Sequence, residues 1–296
     1  MILPLIEALR PKQWTKNMLV FVGVVFAQQA TDPALLLRAV AGFLAFSLLA
    51  GTVYMVNDLR DVEADRQHPK KRNRPIAAGR LAPGVAWAMV PVLLAAVGAI
   101  AWWLGPAFGA VLLVYLVSNL AYSFGLKHQV ILDVFLIATG FVLRAVAGVE
   151  LLLPVAPEVQ ISPWLLVCTF FGALFLAVSK RRRELQNAGS GATQQRAVLA
   201  AYTPELLDRM LTVAAACTLM SYALYTIWPA TVAKFHTEAL IMTVPFVAYG
   251  VFRYLHLVRV SETSEDPSQV LLSDRPIQAA VALFMALAIW ILYRAR

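Results

Sequence analysis

Charge is scarce in this chain. Asp, Glu, Lys and Arg make up only 14% of its 296 residues against 60% hydrophobic ones, and the mean hydropathy of +0.70 excludes a water-soluble globule of ordinary composition. A polytopic membrane protein is the consequence. Cysteine is nearly missing: Cys168 and Cys217 lie inside separate apolar runs, which excludes a disulfide framework and a zinc-ligand spacing and leaves both as packing residues. Histidine is as sparse, and His68, His128, His236 and His256 form no H-x-x-x-H pattern, so a site of soft metal ligands is not expected. Any metal should be a hard one, held by oxygen. No small-residue cleavage pattern follows the first apolar stretch, so a removed signal peptide is not expected either.

What is present is a series of apolar runs, near 17–30, 35–56, 84–104, 106–124, 130–152, 163–179, 206–228, 237–257 and 276–294. Each is long enough, or nearly so, to cross roughly 30 Å of hydrocarbon as a helix. This predicts an all-α membrane protein of about nine spans. With the N-terminus (Arg10, Lys12, Lys16) inside, the inward loops carry Arg60, Arg66, Lys70, Lys71, Arg72, Arg74, Arg80, Lys127, Lys180 to Arg183, Arg196, Arg259 and Arg275, whereas the outward loops hold only Lys234. That asymmetry predicts the topology, and orientation is the simplest role for any one of these bases. A weak internal parallel also exists, since the second and sixth spans both end in a charged segment on the same side.

The stretch NDLRDVEADRQHPKKRNRPIAAGR, residues 57–80, mixes carboxylates with bases at the end of the second span. If the helix continues past the membrane surface, offsets of three and seven residues at roughly 100° each place Asp58, Asp61 and Asp65 within about 60° of arc. Glu63 and Arg60 point elsewhere, and Asn57 edges the stripe. Three like charges on one face repel unless something positive neutralises them. Mg²⁺ suits that position, because it takes oxygen ligands and is commonly held by one or two carboxylates together with substrate phosphates. The bland alternative is a solvated helix end.

N-D-x-x-D-x-x-x-D at this place resembles the first aspartate-rich motif of the UbiA superfamily of intramembrane prenyltransferases, and RNRPIAAGR resembles the R-P-x-x-x-G-R segment after it. The resemblance implies one transmembrane domain over residues 1–296, with about nine helices around a central lipid-accessible cavity, and Mg²⁺ on Asp58, Asp61 and Asp65, ordered by Asn57. It implies a reaction that breaks a carbon–oxygen bond to release pyrophosphate. Most of the family carries a second aspartate-rich motif after the sixth helix, and here that place reads SKRRRELQ. Lysines and arginines cannot ligate a cation but suit phosphate oxygens, Arg gripping two at once.

LRPKQWTKN, YSFGLKHQVILD, GFVLRAVAG, SPW, KRRREL and EDPSQVLLSDRP together resemble the superfamily's decaprenyl-phosphate phosphoribosyltransferase branch. That branch moves 5-phosphoribose from phosphoribosyl pyrophosphate (PRPP) to a polyprenyl phosphate, giving polyprenylphosphoryl-5-phosphoribose and pyrophosphate for cell-wall arabinan precursors. The implied partners are PRPP, the polyprenyl phosphate lipid and the membrane. A homo-oligomer is compatible with this reading, and no nucleic-acid partner is expected. The site would face the cytoplasm of a bacterial cell membrane. A lipid phosphate oxygen is already ionised, so no strong general base is needed.

Candidate substrate contacts are then Arg72 and Arg74 beyond the stripe, Tyr122 and Lys127 in a Y-S-x-x-L-K segment, and Lys180, Arg181 and Glu184 for a substrate phosphate. Gln13, Lys16 and Asn17 are candidates for entry of the lipid phosphate. Arg144 falls near the middle of the fifth span, where a charge is retained for a partner or a polar cavity, and a cavity-facing role is expected. Pairing with Asp133 would need about 16 Å to be bridged. One competing activity is transfer of an isoprenoid from its diphosphate to an aromatic or other acceptor, against which SKRRREL argues. Another is non-enzymatic lipid binding or transport, for which polar residues at mid-bilayer in both halves would be expected.

Overall fold

A computed structural model of the chain describes residues 2–26, 32–68, 71–157, 159, 162–188, 197–260 and 273–294. Among them every regular element is a helix. The α-helices are α1 (Ile2–Ala8), α2 (Val22–Phe26), α3 (Pro33–Arg60), α4 (Val62–Gln67), α5 (Pro83–Leu104), α6 (Pro106–Phe124), α7 (Leu132–Glu150), α8 (Pro163–Ala188), α9 (Pro204–Ile227), α10 (Pro229–Phe235), α11 (Val244–Val260) and α12 (Arg275–Arg294). Eight helical segments, α3, α5 to α9, α11 with its 3-10 lead-in from Ala239, and α12, are long and apolar enough to cross a membrane. Large apolar side chains such as Trp87, Trp102, Leu113 and Ile289 lie exposed along them, as lipid-facing surfaces require.

The expected first span differs. Instead of an α-helix over 17–30, the chain forms a 3-10 helix over Pro11–Phe21 followed by the short α2. It is not among the eight segments long and apolar enough to span, and residues 27–30 of the expected run lie outside the described residues.

Proline writes many of the helix starts. α3, α5, α6, α8, α9 and α10 each begin on one, where its missing N–H has no partner to lose and its fixed φ suits the first turn. Asp32 caps α3 by accepting the Ala34 N–H at 2.8 Å, and the Thr203 hydroxyl caps α9 through the Leu206 N–H at 3.2 Å.

The contacts divide the chain into two compact units, Met1–Gly125 with Gly140–Ile161, and Leu126–Thr139 with Ser162–Arg296. In the first, α3 packs on α5, α6 and the Pro11–Phe21 helix. Phe46 stands edge-on to Tyr115 at 5.1 Å and to Phe108 at 6.3 Å in its core. Gly23 and Gly148 let backbones touch: a Cβ on Gly23 would run into the Gly148 carbonyl, and one on Gly148 into the Val20 carbonyl. Arg38, buried near the start of α3, donates to the carbonyls of Leu104 (2.6 Å) and Leu151 (2.7 Å). One guanidinium thus satisfies carbonyls where α5 and α7 end, a favourable place for a cation. In the second unit α8 packs on α9, and α11 on α12.

Candidate active site

The acidic segment lies in the first unit. The single continuous helix expected here is interrupted: α3 ends at Arg60, Asp61 takes φ −97° and ψ 15°, and α4 resumes at Val62. Hydrogen bonds of α type still run across the break, from the Asp61 N–H to the Asn57 carbonyl (3.0 Å) and from the Asp65 N–H to the Asp61 carbonyl (2.8 Å). Asp58 and Asp65 are therefore still carried to one side, and both are buried. Glu63 turns away to Arg66 (2.7 Å), and Arg60 stacks over Phe124 (4.3 Å).

RNRPIAAGR folds as a compact turn. The Ala78 N–H reaches the Arg74 carbonyl (2.8 Å), the Leu81 N–H reaches the Pro75 carbonyl (3.0 Å), and Ile76 is buried as the anchor. Gly79 supplies the left-handed φ of 72° that lets the chain reverse. The turn returns Arg74 to the aspartates, where its Nη1 donates to Asp58 Oδ1 (3.0 Å) and Asp65 Oδ2 (2.6 Å). At the same turn Arg80 pairs with Glu7 through two bonds of 2.5 and 2.8 Å and holds that carboxyl below the ordinary range, chiefly through the hydrogen bond. Arg72, grouped with Arg74 in the sequence reading, is exposed instead.

A second guanidinium joins from Arg10, which the sequence reading used only for orientation. Its Nη2 donates to Asp58 Oδ1 at 2.5 Å while its plane lies over the Tyr54 ring at 4.6 Å. Arg10 takes the left-handed φ of 53°, uncommon outside glycine. Two carboxylates and two guanidiniums make this cluster neutral.

Would such a cluster take Mg²⁺? Asp58 Oδ1 and Asp65 Oδ2 both lie within 3.0 Å of one Arg74 nitrogen, so they converge on a point that already holds positive charge. Arg74 bridges these two and not Asp61, which is half-buried at the break. Among the described residues no three or more Asp, Glu, His or Cys side chains form a group able to hold a metal ion. The donor set thus fits a Mg²⁺ that brings further oxygens with it, as water or phosphate, rather than a pre-built cage.

In the second unit the basic end of α8 is more internally compensated than its sequence suggests. Arg181, expected to contact a substrate phosphate, is 2% exposed and pairs through Nε with Asp133 (2.9 Å) and through Nη1 with Glu184. Burial without an opposite charge would be costly, and these two carboxylates meet that need. Glu184, expected one turn from Lys180 as its orienting group, is thereby engaged by Arg181. Arg182 pairs with Asp208 (3.0 Å) and Arg183 donates to the Leu257 carbonyl (2.8 Å). Lys180 and Lys127 are half-buried, the latter on a 3-10 turn, Leu126–His128.

Two further expected contacts in the first unit are engaged within the protein. Arg144, expected to face a cavity, is buried, and its guanidinium donates to Asn17 Oδ1 (2.7 Å), the Gly140 carbonyl (2.6 Å) and the Tyr115 hydroxyl (2.8 Å). Asn17, expected near an entering lipid phosphate, is buried beside it and donates to the Ser47 hydroxyl (3.0 Å). Both lock helices together. Gln13, Lys16 and Tyr122 are half-buried, and Trp14 donates to the Leu9 carbonyl (3.1 Å). Lys70, Arg196 and residues 265–272 of EDPSQVLLSDRP lie outside the described residues. Beyond Arg10, the reading missed Tyr202, whose hydroxyl donates to Asp133 (2.7 Å). The signal was Asp133 itself, since an acid opening an apolar run needs a partner.

The chain is similar to known proteins along nearly all its length. It is 38% identical over 282 residues to the decaprenyl-phosphate phosphoribosyltransferase of Corynebacterium glutamicum, covering 93% of this chain and 82% of that one. To the protein of the same name from Mycolicibacterium smegmatis it is 40% identical over 227 residues, covering 75% and 69%. Its fold matches the structure of a UbiA homolog from Archaeoglobus fulgidus bound to DMAPP and Mg²⁺, with a TM-score of 0.71 at 21% identity over 98% of this chain and 99% of that one. The UbiA prenyltransferase family pattern matches residues 17–286. With that match spanning most of its length, the chain belongs to the UbiA prenyltransferase family.

Proposed function

We propose that this protein is a membrane-embedded phosphoribosyltransferase that transfers 5-phosphoribose from PRPP to a decaprenyl or similar polyprenyl phosphate and releases pyrophosphate. The product, a polyprenylphosphoryl-5-phosphoribose, suits supply of an arabinan precursor. The observation that carries this reading is the ion pairing within the acidic cluster. Arg10 and Arg74 balance Asp58 and Asp65, so the site is matched to a metal that arrives together with an anion, as in Mg²⁺–pyrophosphate, rather than to a bare cation. The basic sequence at residues 180–183, where a diphosphate-binding prenyltransferase would need more carboxylates, and the activity for which the two relatives are named support the same choice.

In this reading Asp58 and Asp65, with Asp61 beside them and Asn57 ordering the segment, hold Mg²⁺, which when bound supplies positive charge to the departing pyrophosphate. Arg74 and Arg10, released from the carboxylates, turn to phosphate oxygens. The bond between ribose C1 and the pyrophosphate oxygen breaks, its electron pair leaving with the pyrophosphate, and positive charge spreads over C1 and the ring oxygen. An ionised oxygen of the lipid phosphate forms the new bond to C1 from the opposite face, so configuration inverts and no proton has to be moved. Lys127 and Lys180 bind substrate phosphates in the second unit. The excess of Lys and Arg in the loops on one side supports a cytoplasmic face for this chemistry.

A donor competition tests the proposal. Purified protein in liposomes with Mg²⁺ receives either labelled PRPP with polyprenyl phosphate, or a labelled isoprenyl diphosphate with an aromatic acceptor. Labelled lipid from the first pair alone is expected. Consumption of the second pair alone would make the protein a prenyltransferase of the ordinary kind.

A further inference from the structure

We infer that Tyr202 is a positioning residue that sets the segment carrying Lys127 for phosphate contact, a conclusion that rests on the proposed role of Lys127. The side chains involved all belong to the second unit. Tyr202 is 3% exposed, and its hydroxyl sits at a crossing of two loops: it accepts the Ile131 N–H at 2.7 Å and donates to Asp133 Oδ1 at 2.7 Å. The other oxygen of Asp133 takes the Nε of Arg181 at 2.9 Å, next in sequence to Lys180. One phenol therefore ties the 126–133 segment to the chain leading into α9, and Asp133 extends the tie to the basic end of α8.

The segment needs such a tie. Ile131 adopts φ 70°, a left-handed conformation that is a true outlier for a β-branched residue. From Ile131 the chain turns into α7, the Phe135 N–H returning to the Ile131 carbonyl at 3.0 Å. Four residues upstream, the Leu126–His128 turn closes with the Gln129 N–H on the Leu126 carbonyl at 3.1 Å and carries Lys127. The backbone four residues beyond Lys127 is thus held against its own preference, and the Tyr202 hydroxyl is the acceptor that holds the strained amide. Burial first, and the bond to Asp133 second, raise the hydroxyl above the ordinary phenol range, so it stays a donor to Asp133 through neutral pH.

Tyr202→Phe removes the hydroxyl and keeps the packed ring. Two readouts apply to the full-length protein: the Km for PRPP during transfer, and the Kd for inorganic pyrophosphate with Mg²⁺, which needs no turnover. In the phenylalanine variant both should weaken about tenfold while kcat falls less than threefold. Lys127→Ala should weaken both similarly, and adding Tyr202→Phe to it should change neither further, since the effect passes through Lys127. Ile131→Gly adopts the left-handed backbone without strain, so in the Tyr202→Phe background it should restore at least half of the lost affinity. The inference is overturned if Tyr202→Phe lowers the unfolding temperature yet leaves pyrophosphate affinity unchanged, or if its effect multiplies with that of Lys127→Ala. It is equally overturned if Lys127→Ala leaves pyrophosphate affinity intact. Should the wild type bind pyrophosphate but fail to consume PRPP, the proposed activity falls, while the pyrophosphate arm still decides the role of Tyr202.

Discussion

Asp58→Asn tests the acidic cluster most cleanly, because it removes a charge and keeps the shape. The Asp58 carboxylate is 3% exposed and its Oδ1 receives both Arg10 at 2.5 Å and Arg74 at 3.0 Å, so the substitution leaves two guanidiniums facing Asp65 alone, a net charge of about +1. Removing one partner of a buried ion pair costs about 3–5 kcal/mol. Here the arginines are 26% and 29% exposed and the amide oxygen still accepts, so water screens the change and the stability loss should be only about 1–2 kcal/mol. At about 2–4 °C per kcal/mol, that lowers the unfolding temperature by about 2–8 °C. Turnover should suffer far more. Losing a contact that stabilises charge in the transition state typically costs about 10²–10³-fold in kcat, or about 2.7–4 kcal/mol. Initial rates of pyrophosphate release, measured beside thermal unfolding on the same reconstituted preparation, separate the two. A folded variant that keeps kcat within tenfold of wild type would refute the reasoning, as would a rate loss that tracks the unfolded fraction.

Other outcomes are as definite. Lys180→Ala should raise the Km of one phosphorylated substrate about tenfold or more, the scale of one charge-assisted hydrogen bond; unchanged Km values for both would remove it from the site. Arg144→Met should lower stability by about 2–4 kcal/mol, since three buried acceptors lose their donor, while Km for PRPP in the surviving folded fraction stays within twofold; a large Km change would return Arg144 to the substrate site. The raised Tyr202 hydroxyl makes stability depend on pH at the alkaline end. The folded protein holds this proton more tightly than the unfolded chain, so its contribution is complete below the unfolded phenol value of about 10 and is lost as pH rises through that value toward the folded one. The gap in unfolding temperature between wild type and Tyr202→Phe should stay constant from about pH 7 to 9 and close above about 10; a gap that instead grows toward acid would contradict it.

Local patterns carried much of this protein. Apolar run length gave the spans, because hydrocarbon thickness fixes helix length whatever the packing, and the period of 3.6 brought Asp58 and Asp65 to one side despite the break at Asp61. The Pro11–Phe21 segment was misplaced because its first half, Pro11 to Lys16, is too polar to read as part of the apolar run that begins at Asn17, so nothing marks one continuous helix across both. Partners far apart in sequence were the least legible. Nothing near residue 144 announces Asn17 and Tyr115, and nothing near residue 58 announces Arg10, 48 residues away. Arg181 misled for the same reason: in sequence it is one of four adjacent bases, whereas in the fold Asp133, also 48 residues away, takes its charge. Isolated intramembrane charges say that a counter-charge exists, not where it is.

The central claim is that a phosphorylated sugar, and not an isoprenoid, is the group that moves. The most direct measurement uses PRPP carrying one label in the ribose and another in the β-phosphate, given to the purified protein with polyprenyl phosphate and Mg²⁺. The ribose label should enter the lipid and the β-phosphate label should leave as pyrophosphate, one for one, with neither appearing when Mg²⁺ is chelated. Finding both labels together in the lipid, or both still in PRPP while the Mg²⁺-loaded protein consumes an isoprenyl diphosphate, would contradict the account.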